Sequence, residues 1–398
     1  MTHERTAQSP KTGGRGRRAA GPLALLGVVL LALNLRAAIA GLAPLLPDVR
    51  ADLGLSSGTA GLLTTLPVLC FGLLSPFAAL LGRRIGIEAA LLLAMLGIVA
   101  GSLVRTAPGL WWLVAGTVVV GAGITVGNVL VPSIVKQDFS DRQGPVTALT
   151  TAALTGGAAL AAAVTAPLAH IGLGWRGALL LVGGLAAVAA IAWLPQLRRR
   201  HVAPVVRLGG AAVLRSPVTW QLAGFMGMQS LTYYAILAWL PTLLRDAGVS
   251  AAGAGWALAL FNLLGIATAV AAPALAARRR DQRGLGLLVC ATWGVGLLGL
   301  LVAPALYLLW ATLTGLAQGA GIGLALALLV IRARTPESAR DLSGTVQSVG
   351  YLLGSTGPVL VGLLHDVSDD WTAPLVALCV AVTVMAAAAL GAGRDRQV

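Results

Sequence analysis

The chain has 398 residues, of which 57% are hydrophobic and only 11% charged. A soluble protein carries about 25% charged residues, so the composition excludes a water-soluble domain and selects a polytopic membrane protein. The net charge of +14 does not mark a nucleic-acid binder. Its basic residues sit in short clusters between apolar runs, where Lys and Arg orient membrane helices.

The segment Met1–Ala20 is polar and basic, and the apolar run after it lacks a small-residue cleavage site. It reads as a tail (1–21) before an uncleaved first span rather than as a signal peptide. A helical crossing takes about 20 apolar residues, and twelve such runs follow. They are Pro22–Leu46, Ala60–Leu81, Glu88–Val104, Leu110–Val135, Val146–Ala169, Arg176–Leu194, Val218–Leu240, Ala252–Ala276, Leu285–Val302, Ala305–Ile331, Leu342–Leu364 and Thr372–Leu390. The very short connection at Ala303-Pro304 forces an antiparallel helical pair. Cys70, Cys290 and Cys379 all lie in apolar runs, with no disulfide framework and no metal-ligand spacing. No metal and no cofactor is expected.

With Met1 on the cytoplasmic side, only Arg50, Arg105, Arg176 and Arg245 fall on the opposite face, and Arg36 stays inside. Every other Lys and Arg of the 28 is cytoplasmic. That asymmetry supports an even number of spans with both termini cytoplasmic in a bacterial inner membrane. The longest interior polar stretch, 196–216, contains Arg198-Arg199-Arg200-His201 and Pro204. It reads as a cytoplasmic linker between a bundle at 22–195 and another at 217–391, with a cytoplasmic tail at 392–398.

The halves repeat. Leu46-Pro47 is followed by Asp52, Gly54, Ser56, Ala60 and Gly61, and Leu240-Pro241 by Asp246, Gly248, Ser250, Ala254 and Gly255, at identical spacing. Basic clusters follow at Arg83-Arg84 and at Arg278-Arg279. Gly121-Ala122-Gly123-Ile124 matches Gly319-Ala320-Gly321-Ile322 in the fourth span of each half. Both halves start on the same side, so the repeats are parallel.

Asn34-Leu35-Arg36, Pro44-Leu45-Leu46-Pro47 and Asp52-Leu53-Gly54-Leu55-Ser56 resemble the opening of the cyanate and 2-nitroimidazole permeases of the major facilitator superfamily. So do the run from Gly127-Asn128 through Pro132 to Phe139, and Phe225-Met226-Gly227-Met228-Gln229-Ser230 with Tyr233 and Ala238-Trp239-Leu240-Pro241. The likeness crosses nearly all spans. It implies an all-α membrane protein with a twelve-transmembrane-helix fold of two parallel six-helix repeats, and a carrier for a small polar or anionic solute. It points to gating positions at Arg83 and Arg84, although Gly82-Arg83-Arg84-Ile85-Gly86 lacks the acidic residue of the superfamily's general loop signature.

Arg36 is the first candidate for chemistry. A charge at mid-membrane depth costs at least ~2.5 kcal/mol on insertion scales and marks a pathway by default. Its planar fork suits carboxylate, cyanate-like or nitro oxygens. Asn34, two residues away, points to a nearly opposite face and serves either the cavity or a helix–helix hydrogen bond. Thr125, Asn128 and Pro132 share one helical face, where Asn128 either lines a cavity or ties helices together. Gln229 with Tyr233, and Gln347 with Tyr351, each place an amide and a phenol on one face, suited to a small oxyanion or ring or simply to packing. Asn262 and Gln318 complete the binding candidates, and Lys136 with Asp138 form either a gating pair or a topology signal. Tyr234, Trp239 and Trp256 read as packing or interfacial anchors.

No Asp or Glu lies deep in a span, so the usual buried proton relay is absent. The same absence argues against an exporter of lipophilic cations, the alternative reading. No Gly-Lys-Ser/Thr nucleotide loop and no nucleophile–histidine set exists, which disfavours an ATP-driven pump and an enzyme. The expectation is a monomeric secondary transporter, its partners a small solute and the bilayer, with a cavity between the first, fourth, seventh and tenth spans.

Overall fold

In hydrocarbon every backbone N–H and C=O must be paired within its own segment, so apolar runs of this length become helices. The computed structural model describes residues 22–139, 142–198 and 211–398 and contains twelve long helices among them. They are α1 (Pro22–Ala40), α2 (Ser57–Arg84), α3 (Ile87–Val104), α4 (Leu110–Asp138), α5 (Gln143–Leu168), α6 (Gly174–Trp193), α7 (Pro217–Asp246), α8 (Ala251–Ala277), α9 (Arg283–Val302), α10 (Tyr307–Ile331), α11 (Pro336–Ser368) and α12 (Thr372–Ala392). The expected tail at 1–21 and most of the linker (199–210) lie outside the described residues. The linker's remaining ends form a 3-10 turn, Leu194–Arg198, and a short helix, Ala211–Arg215.

Ten stretches are long and apolar enough to cross a membrane. One of them, Pro145–Arg198, contains both α5 and α6. Helix α7 is missing from the ten because Gln221, Gln229, Ser230, Thr232 and the two tyrosines lower its apolarity. It nevertheless runs 30 residues and is buried along almost its whole length. This is a multi-pass membrane protein in which a comparatively polar span is buried among the others.

The first span is shorter than its apolar run. α1 stops at Ala40, and Pro44 sits in a 3-10 turn, Ala43–Leu45, before a short helix, Leu46–Leu53. Proline has no N–H to continue the ladder. Arg36 therefore lies about one turn from the end of α1. It still stands level with Tyr233, midway along α7.

The repeat has a local physical basis. Gly54 and Gly248 both take positive φ, 61° and 86°, which glycine adopts without strain. Ser56 and Ser250 each cap the following helix by accepting from the backbone N–H three residues on, Thr59 and Gly253. Asp52 accepts from the indole of Trp175 at the start of α6, and Asp246 from that of Trp371 just before α12. Each half thus ties the segment that ends its first span to its sixth span in the same way.

Small residues set the spacing between helices. A Cβ on Gly157 would lie 2.0 Å from the Leu33 carbonyl oxygen of α1, and one on Gly319 2.0 Å from the Gly265 carbonyl oxygen of α8. Gly121 and Gly123 make the corresponding approaches to Pro67 and Ala94. The two halves meet along α2 against α11 and α5 against α8. There a Cβ on Gly61 would strike the Pro358 carbonyl, and one on Gly255 the Ala162 carbonyl.

Two charges expected in loops are buried instead. Arg105 is 2% exposed and donates to Thr117 Oγ1 (3.1 Å) and to the carbonyl of Ala38 (3.2 Å). Arg332 is 1% exposed and donates to the carbonyls of Ala392 (3.0 Å) and Gly393 (2.9 Å) and to Gln282. Each guanidinium satisfies carbonyls that a helix C-terminus leaves unpaired. Glu88, in the first turn of α3, is also nearly fully buried.

Candidate functional site

A cavity of about 1190 Å³ runs between the halves. Its walls come from eight helices, not the expected four. Arg36 of α1, Thr125, Asn128 and Pro132 of α4, Tyr234 of α7 and Gln318 of α10 are joined by residues of α2, α5, α8 and α11. The α4 face read from the sequence is the face that lines it. In α2, α4, α8 and α10 the lining positions precede the basic ends at Arg83, Lys136, Arg278 and Arg332. In α5 and α11 they open the helix. The cavity therefore opens at the end of the molecule where the basic clusters gather.

The other end is shut by contacts between the halves. Asp366 of α11 accepts from the backbone N–H groups of Ser57 (2.7 Å) and Gly58 (2.6 Å) at the start of α2. His365 Nδ1 lies 3.2 Å from Ser57 Oγ, and Arg245 pairs with Asp48 at 3.1 Å. An anion at a helix N-terminus meets unpaired N–H groups and the positive end of the dipole. A hydrogen bond to a charged group contributes about 1.5–3 kcal/mol. Asp366→Ala should therefore raise labelling of a cysteine at Val49, buried at this end, by about tenfold, in a chain with Cys70, Cys290 and Cys379 replaced. Unchanged labelling would remove the carboxylate from the closure.

Arg36 forms the inner end of the cavity and is half-buried. Its Nη1 donates to the Tyr233 hydroxyl at 3.1 Å, and the guanidinium carbon lies 5.2 Å from that ring's centroid. Tyr233 in turn donates to Asn262 Oδ1 at 3.4 Å and stacks on Phe261. A recess of about 20 Å³, lined by Arg36, Gln229, Ser230, Tyr233, Tyr234, Gln318, Ile322 and Tyr351, adjoins it, room for about one water. Tyr351 meets Phe71 edge-on across the cavity wall, centroids 6.0 Å apart. Among the described residues, none lining the cavity or the recess is Asp, Glu or His.

The expected site residues divide accordingly. Arg36, Asn128, Gln318, Gln347 and Tyr351 line the cavity, and Gln229 and Tyr233 border the recess. Asn34 does neither: its amide donates to Leu30 O at 2.8 Å within α1. Asn262 is fully buried behind Tyr233 and donates to Leu258 O. The Gln229 amide is committed on both sides, donating to Gln318 O and accepting from the Trp293 indole, each at 3.0 Å. Arg83, Arg84 and Lys136 are exposed, and neither they nor Asp138 line the cavity.

Three groups were missed. Tyr234, read as an anchor, lines both cavity and recess, Phe71 lines the cavity, and Thr147, Thr151 and Thr155 run along it from α5. The threonine spacing of four residues is a helical face and was visible in the sequence. Nothing in the sequence distinguished Tyr234 from its neighbour.

Residues 25–358 match the Major Facilitator Superfamily. The chain is 39% identical over 377 residues to the 2-nitroimidazole transporter of Escherichia coli (strain K12), covering 94% of this chain and 96% of that protein. It is 32% identical to the cyanate transport protein CynX of the same organism, covering 89% and 94%. Among solved structures, a bacterial homologue of the human lysosomal transporter Spinster, crystallised inward-facing and unoccupied, superposes with a TM-score of 0.69 at 17% identity over 94% of this chain and 96% of that one. The polar central span, the parallel repeats and the cavity between halves thus belong to a membrane transporter of the Major Facilitator Superfamily.

Proposed function

We propose that this protein is a secondary transporter that carries a small anionic or polar solute, cyanate-like, nitroimidazole-like or a small organic acid, across a bacterial cytoplasmic membrane, with Arg36 as its central binding residue. The observation that carries the reading is a guanidinium at the inner end of the cavity with no carboxylate paired to it among the described residues. A charge so placed faces an unfavourable environment unless a counter-ion arrives. Tyr233 and Asn262 hold it in place, the small recess admits a compact head group, and Phe71, Tyr234 and Tyr351 offer ring faces and edges to a planar body. The names of the relatives point the same way.

The positive-inside rule assigns the basic end to the cytoplasm, which makes the described state inward-open. The two six-helix halves would then rock about the Arg36 level to open the other face, and one chain holds the whole cavity, so a monomer suffices. The test is a thermal-shift series on the purified protein with cyanate, 2-nitroimidazole, benzoate and the lipophilic cation tetraphenylphosphonium. Stabilisation by one or more of the first three and not by the cation is expected. Stabilisation by the cation alone would replace this reading with the exporter.

A further inference from the structure

We infer that the protein is an obligate anion exchanger: it passes between its two open states only with an anion seated on Arg36, so entry of one anion requires exit of another. The inference rests on the anion-binding reading above and adds the mode of transport to it.

Among the described residues, the walls of cavity and recess contain one ionised side chain, Arg36, and no acid or histidine. Guanidinium has five N–H donors and keeps its charge at any physiological pH. Among the described residues, one of these donors meets a protein acceptor, the neutral phenol of Tyr233 at 3.1 Å. The remaining capacity of the fork is left to whatever fills the cavity. While the cavity is open, water fills it and solvates the charge. To reach the other open state the walls must close over Arg36 and expel that water. An empty carrier would bury an uncompensated cation, which is strongly unfavourable. A monoanion cancels the charge and accepts from the fork, so the loaded carrier closes without that penalty.

A resident carboxylate would have made the empty carrier neutral and free to return alone; among the described residues this cavity has none. The amides that approach Arg36 cannot substitute for one, being neutral. Gln229 is moreover already committed to Gln318 O and the Trp293 indole. The exchange of one monoanion for another moves no net charge, so the membrane potential should not drive it.

The decisive experiment needs no knowledge of the cargo. Spin labels at Ala51→Cys and Val367→Cys, exposed positions of opposite halves at the closed end, report that end's opening by pulsed electron resonance, with Cys70, Cys290 and Cys379 replaced. In a Hepes buffer free of chloride and other small anions the labelled protein should show a single short distance. The same protein carrying Arg36→Met should add a second, longer distance, because the charge that forbids empty passage is gone. Two distances in the protein that retains Arg36, or one distance in both, would overturn exchange and leave anion binding intact.

Flux supplies a second readout. Proteoliposomes preloaded with benzoate should take up labelled benzoate at least tenfold faster than unloaded ones, and a potassium–valinomycin potential should not change the rate. Equal uptake into unloaded vesicles would overturn exchange. Failure of the thermal-shift series, by contrast, would strike the anion reading itself.

Discussion

Arg36→Ala should bind cyanate, 2-nitroimidazole or benzoate at least 100-fold more weakly than the natural chain while remaining folded. Truncating one partner of a buried charged pair costs about 2–5 kcal/mol, and every 1.4 kcal/mol is about tenfold in affinity. The fold should survive because, among the described residues, Arg36 makes one hydrogen bond to the protein, to Tyr233, and Tyr233 keeps its own bond to Asn262. Removing an unpaired cation from the membrane interior also relieves its desolvation. Arg36→Lys retains the charge but replaces a planar fork by a point donor on a shorter stem, and about a tenfold loss is expected. Calorimetric titration of the three proteins with the ligand that best stabilises the natural chain separates the contributions. Affinity retained in the alanine variant would end the case for Arg36 as the anchor.

Gly319→Val should destabilise the protein by roughly 3 kcal/mol or more, the upper range for overpacking a close contact. Its Cβ would stand 2.0 Å from the Gly265 carbonyl oxygen and 2.5 Å from the Gly265 Cα and Thr268 Oγ1. Two of these are backbone atoms of α8, which cannot swing aside as a side chain can. The same helices are tied by Thr268 Oγ1 donating to Leu316 O at 2.8 Å, so spreading them also removes a satisfied hydroxyl. Gln318, next in the chain, would leave its place on the cavity wall. Gly294→Val is the control, since a Cβ there meets nothing within 4 Å. Thermal melts in detergent should show a large fall for the first and little change for the second. Equal melting temperatures would show that the contact can relax.

The spans were readable because hydrocarbon leaves the backbone one local solution, the helix, and because lysine and arginine mark its ends. The Asp-Gly-Ser repeat was readable for a related reason: Gly54 and Gly248 need positive φ and Ser56 and Ser250 cap helices, and both demands are local. Arg36 stood out because lipid punishes a charge wherever the chain goes. Thr125, Asn128 and Pro132 followed from helical periodicity alone.

What periodicity cannot say is which polar group already has a partner. Asn34 is satisfied within its own turn, Asn262 behind Tyr233 and Gln229 between two neighbouring helices, whereas Tyr234 looked like packing and faces the cavity. Arg105 and Arg332 stand in the sequence just past the ends of apolar runs, and only packing folds them over the ends of helices distant in sequence. By itself, then, the amino-acid order determined the helices, the twofold repeat and the guanidinium of Arg36 left inside a span. Each of these follows from a transfer energy or a backbone conformation that a residue carries with it. Only the tertiary packing decided where α1 breaks off, which amides are spent on neighbours and which end is shut. Those outcomes depend on atoms hundreds of residues apart in the chain, such as Asp366 closing over the first turn of α2.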